Sequence, residues 1–169
     1  MAVFEPIFKA LNDVNIRYIV VGGLAVVLHG HARLTVDVDL VVDLDEEPAL
    51  RAIDSLVGIG LRPRAPVNPR DFADPAVRKG WIRDLGMQVF SMYDPSNPLR
   101  AVDLFVDYPL PFEELWSRSC EFELQDTTVR VASIPDLIRM KRLAGRSEDL
   151  SDIEKLEAIL DAKKQRKDD

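Results

Sequence analysis

From Tyr18 to Leu44 the chain reads YIVVGGLAVVLHGHARLTVDVDLVVDL: a short β-rich run, a glycine pair, a small apolar segment, then Asp37-Val38-Asp39 heading a second apolar run. Side chains alternate along a strand, so Asp37, Asp39 and Val41 fall on one face and Val38, Leu40 and Val42 on the other. Two carboxylates so placed stand about 6.6 Å apart at roughly 3.3 Å per residue, an arrangement suited to a divalent cation. The stretch is thereby restricted to strand, glycine turn, helix, strand, with the acids at the start of the second strand. An edge strand with outward-facing acids carries the same pattern, so the neighbouring sequence has to decide.

Gly22-Gly23 ends one β-run and opens a helix, where backbone amides and the helix dipole are available to phosphate oxygens. A tight strand-to-helix turn would also use the pair. It is neither the Gly-x-Gly-x-x-Gly dinucleotide fingerprint nor a P-loop, which ends in Gly-Lys-Ser/Thr. A third acid, Asp103, lies in the run Val102-Asp103-Leu104, on the face opposite Val102, Leu104 and Val106. A charge inside such a run needs a partner, because an unpaired buried charge is expensive. Asp107 has the same parity but adjoins Tyr108-Pro109 at the strand end, so Asp103 is the better candidate.

The remaining pattern predicts helices over 3–13, Glu46–Val57, about Ala76–Asp84, from the Ser133 cap through Leu143, and over about Ser147–Lys163. Met87–Tyr93 and Ala101–Asp107 read as an antiparallel hairpin joined by the longer loop Asp94–Pro98, and Glu121–Leu124 with Thr128–Val131 as a further strand pair. Residues 61–76 hold four prolines and no period, and read as the most mobile loop. In the last helix Leu150, Ile153, Leu156, Ile159 and Leu160 form one packing stripe. His29 and His31 belong to no metal-ligand set and read as loop or helix-end residues.

At 169 residues the length fits one domain, a core over about 1–132 and a helical segment over about 133–165. A lone cysteine, Cys120, excludes an internal disulfide framework. No apolar run is long enough to span a membrane, and the N-terminus lacks a basic, then apolar, leader, so a cytoplasmic protein is expected. The net charge of −7 argues against a protein that coats nucleic acid through general electrostatics.

Taken together, apolar-Gly-Gly, a short helix, Asp-apolar-Asp on one strand and apolar-Asp-apolar on a later one resemble the nucleotidyltransferase superfamily that includes DNA polymerase beta. Arg33-x-Thr35-x-Asp37-x-Asp39 looks most like the small bacterial AbiEii-type toxin group, and Leu137, Ile138, Lys141, Arg146, Asp149 and Asp152 stand in a spacing similar to that group's C-terminal segment. The resemblance implies an α+β fold, a mixed β-sheet flanked by helices with a short C-terminal helical segment. It implies transfer of a nucleotidyl group from a nucleoside triphosphate such as ATP to a hydroxyl acceptor, assisted by two Mg²⁺ ions, with Mn²⁺ as a substitute.

Carried over, Asp37 and Asp39 would hold the metals, and Asp103 would hold one of them while orienting or deprotonating the acceptor hydroxyl. Gly22 and Gly23 would line the triphosphate. Arg33 and Thr35 could touch phosphate, although an ion pair and a strand-start hydrogen bond serve them equally well. Lys141 and Arg146 would contact the nucleotide, or else complement a helix C-terminus. The acceptor could be a small molecule, a protein or a tRNA end, and a cognate toxin or antitoxin is a further expected partner. A noncatalytic nucleotide-binding or antitoxin-type partner protein keeping the fold is the alternative. The dehalogenase-type Asp-x-Asp is excluded by polarity, since there the apolar strand precedes the acids, whereas here it follows them. A metal-dependent glycosyltransferase would leave the glycine pair unexplained.

Overall fold

Tyr18–Val21 (β1) and Val38–Val42 (β2) pair antiparallel inside a seven-stranded mixed sheet, in a computed structural model that describes residues 2–168. The other strands are Arg62–Pro63 (β3), Val89–Asp94 (β4), Asn97–Phe105 (β5), Cys120–Glu123 (β6) and Thr128–Val131 (β7), and the spatial order is β3-β4-β5-β2-β1-β7-β6. β2 runs parallel to β5 and β1 parallel to β7, while the remaining pairs are antiparallel. The helices are Glu5–Asp13 (α1), Gly22–Leu28 (α2), Glu46–Gly58 (α3), Pro75–Leu85 (α4), Phe112–Arg118 (α5), Ile134–Ala144 (α6) and Asp149–Asp168 (α7). The architecture is the expected α+β, a mixed sheet flanked by helices. No described helix is long and apolar enough to cross a membrane.

Parity assigns the two faces. Phe90 and Met92 of β4 and Val102 and Leu104 of β5 are almost wholly buried. Phe90 packs against Phe72 and Trp81, with ring centroids 5.5 and 5.3 Å away. α1 covers the same face at β1, where Phe8 stacks on Tyr18 at 6.0 Å. On the opposite face α2 packs on β1 and β2 and α6 packs on α2, whereas Val89, Ser91, Tyr93, Asp103 and Phe105 are only half-buried.

Four local expectations need correction. Residues 61–76 are packed, because Phe72 is fully buried in a short 3-10 turn over Pro69–Ala73 capped by Asn68, and Arg62–Pro63 adds an edge strand. β5 begins at Asn97 instead of Ala101, since the Asp94 carboxylate takes the Ser96 amide and hydroxyl and closes a shorter turn. α5 was not expected, being only seven residues long. In α7, Leu150 is 62% exposed, and the inner face starts instead with the buried Asp149, Asp152 and Leu156.

Candidate functional site

Asp39 and Asp103 are direct cross-strand partners on the parallel β2–β5 pair, so two carboxylates separated by a long stretch of sequence stand side by side. Asp37 lies just before β2, and Asp107 is exposed beyond β5, where it only accepts from the Tyr108 amide. The carboxylates open into a cleft of about 780 Å³ between the sheet and α6. Gly22, Gly23, Arg33, Thr35, Asp37, Asp39, Asp103, Lys141 and Arg146 all line it, so one cavity gathers the residues expected to hold metal or nucleotide.

Gly22 opens α2 with φ +65°, and a Cβ there would collide with the Asp39 carboxylate, 2.7 Å from its Cγ. Backbone conformation and close approach both require glycine at that position. A Cβ at Gly23 would meet Thr35 Oγ1 at 3.0 Å. Thr35 itself donates to the Asp37 carbonyl at 3.2 Å, a strand-start hydrogen bond. The glycine pair thus brings the backbone against the carboxylate strand.

Burial raises the Asp39 carboxyl to about 7, assisted by the negative charges of Asp103 and Asp37. Asp103 is also raised by burial, although a 2.5 Å hydrogen bond from Ser91 Oγ opposes the shift. None of the three acids makes an ion pair among the described residues, because the nearby cations are held elsewhere. Arg33 pairs with Asp152. Lys141 Nζ lies 3.1 Å from Asp149 and 2.8 Å from Asp152, and Arg146 Nε lies 3.0 Å from Asp149. Burial alone would raise Asp149, but hydrogen bonds from Arg146 and Lys141 outweigh it and leave that carboxyl below its ordinary value.

Lys141, expected as a nucleotide contact, is therefore a buried clasp between α6 and α7, and Arg33 ties the loop before β2 to the same cluster. Arg146 keeps a 63% exposed side chain and remains open to a ligand. Sequence reading missed Ser91, whose role depends on cross-strand register, and the inward direction of Asp149 and Asp152. The helix periodicity carried that second signal: residues 149, 152 and 156 share a face.

Among the described residues, no group of three or more His, Cys, Asp or Glu side chains is gathered closely enough to hold a metal ion by itself. The chemistry of the donors nevertheless fits a hard cation that keeps positions for water and phosphate oxygen. Two adjacent carboxylates, both with raised affinity for protons and without a protein cation, form an electrostatically frustrated site that a divalent ion would relieve.

No protein-family model matches the chain, and no curated protein matches it in sequence. Solved structures do resemble it in fold. A lincomycin-bound lincosamide antibiotic adenylyltransferase, LnuA, superposes with TM-score 0.59 at 17% identity, covering 90% of this chain and 93% of that one. The antibiotic-resistance factor ANT(2'')-Ia gives TM-score 0.59 at 14% identity, with 98% and 91% covered. An antigenic nucleotidyltransferase-like protein from Paracoccidioides brasiliensis gives 0.56 at 18% identity, with 91% and 72% covered. The chain has the fold of these nucleotidyltransferase-like structures.

Proposed function

We propose that the chain is a metal-dependent nucleotidyltransferase that moves a nucleoside monophosphate from a nucleoside triphosphate to a hydroxyl acceptor. The observation that carries this reading is the in-register Asp39–Asp103 pair, joined by Asp37 and left without a protein cation. Asp37 and Asp39 would hold Mg²⁺, and Asp103 would share one of two ions. The ions, when bound, supply charge stabilisation for the entering and leaving oxygens of an in-line displacement.

The chain's own residues do the rest. Gly22 and Gly23 let the triphosphate lie against the backbone, and Arg146 at the rim offers an exposed guanidinium to a phosphate oxygen. Asp103, fixed by Ser91, is placed to orient the acceptor hydroxyl and take its proton. Leu34, Val36, Phe105, Met140 and Leu143 give the cleft apolar walls that can flank a base or a small acceptor. Support for an AbiEii-type toxin–antitoxin setting comes from the sequence resemblance alone.

Isothermal titration with ATP, CTP, GTP and UTP tests the reading. Binding of at least one nucleotide should require Mg²⁺ and disappear in an Asp37→Ala, Asp39→Ala variant. Absence of binding by all four would sink it.

A further inference from the structure

The carboxylate row continues past Asp103 to the sheet edge. Ser91 is the cross-strand partner of Asp103, and the Arg64 amide donates to the Ser91 carbonyl at 2.9 Å, extending the β3–β4 register by one residue. Register partners on neighbouring strands share a face, so Arg64, Ser91, Asp103 and Asp39 project from the same side of the sheet. This is the half-buried half of the face, on which the cleft opens. Its exposed end is built from Tyr93, with the Arg64 guanidinium over its ring, 4.9 Å from the centroid.

Arg64 differs from the cations of the cleft. Arg33, Lys141 and Arg146 are each held by carboxylates. Arg64 makes no ion pair among the described residues, and its guanidinium is held over the Tyr93 ring. Two strand spacings, on the order of 10 Å, separate the backbones of Arg64 and Asp103. Between them the face offers Ser91 and no further charge. A hydroxyl presented at Asp103 therefore has an unpaired, ring-oriented guanidinium one small molecule's length away.

Building on the transferase reading, we propose that Arg64 is the acceptor-side anion contact, so that the acceptor is a small alcohol bearing a phosphate or carboxylate group. A planar guanidinium presented on an aromatic ring suits bidentate binding of either oxyanion. A polycationic acceptor would meet Arg64 as a like charge. An RNA end would bring several phosphates and call for several unpaired cations, on a chain whose net charge is −7.

The test follows the Arg64 side-chain Nε–Hε resonance in the full-length, nucleotide-free protein during titration with glycerol 3-phosphate, glycerate, glycerol and inorganic phosphate. Nucleotide is absent, so the outcome does not depend on whether the chain transfers nucleotides. Saturable shifts at Arg64 with glycerol 3-phosphate or glycerate, and none with glycerol, are expected, and the relative affinities of the two ligands separate a phosphate from a carboxylate preference. Arg64→Gln should weaken the preferred ligand at least tenfold with its urea midpoint unchanged, and Arg64→Lys should recover part of the affinity. Shifts absent at Arg64, affinity unaltered in Arg64→Gln, or a cytidine-cytidine-adenosine trinucleotide bound tenfold tighter than glycerol 3-phosphate would each overturn the proposal.

Discussion

Asp39 sets folding against the proposed activity. Its carboxyl sits near 7 in the folded protein, against an ordinary value of 3.8. Because the native state holds the proton more tightly than the unfolded chain, stability is greatest below about pH 4 as far as this group is concerned. It then falls as pH rises through the window between those values, a loss of roughly 4 kcal/mol at 1.36 kcal/mol per unit. Asp39→Asn should therefore stabilise the metal-free protein by about 2–4 kcal/mol at pH 8 and have little effect at pH 4, as read by urea unfolding, while removing Mg²⁺-dependent nucleotide binding. Asp39 and Asp103 were legible in the sequence because a period of two exposes any charge that interrupts an apolar strand, and Asp37 through its place two residues before Asp39. Arg64 was not, since it stands in a proline-rich segment without a period and gains its meaning only from register with Ser91.

The joint between α6 and α7 shows why the C-terminal segment was only half legible. Ser133 does cap α6, accepting from the Asp136 amide, as the sequence suggested, and Gly145 ends it with φ +65°. The stripe beginning at Leu150 suggested an apolar docking face for α7, yet the first inward turn is acidic, and Lys141 from α6 satisfies it. Lys141, Asp149 and Asp152 are only 6%, 3% and 5% exposed. Removing the ammonium leaves two buried carboxylates with partial compensation from Arg33 and Arg146. Lys141→Met should accordingly cost about 3–5 kcal/mol in chemical denaturation. Arg146→Ala, at a largely exposed site, should cost no more than about 1 kcal/mol while weakening nucleotide binding.

The cleft draws on elements from much of the chain: the β1–α2 turn, the loop before β2, β4, β5, α6 and the start of α7. A ligand held there connects otherwise separate segments, and one that binds only the folded state stabilises it by RT ln(1 + [L]/Kd). Magnesium nucleotide at a hundred times its Kd should thus add about 2.7 kcal/mol, raising Tm by roughly 5–10 °C for a chain of this size, measurable by scanning calorimetry. The same shift should be missing with Asp37→Ala, Asp39→Ala. The parallel β2–β5 pairing sets the order in which this cleft can come into being. Its strands are separated by α3, β3, the 3-10 turn, α4 and β4, so the long intervening loop must close before Asp39 meets Asp103. During synthesis the glycine pair and the first two acids emerge early, but their carboxylate partner arrives with β5 and the roof of the cleft only with α6. On the proposed transferase reading, a nascent chain should therefore bind no nucleotide until its last two helices have left the ribosome.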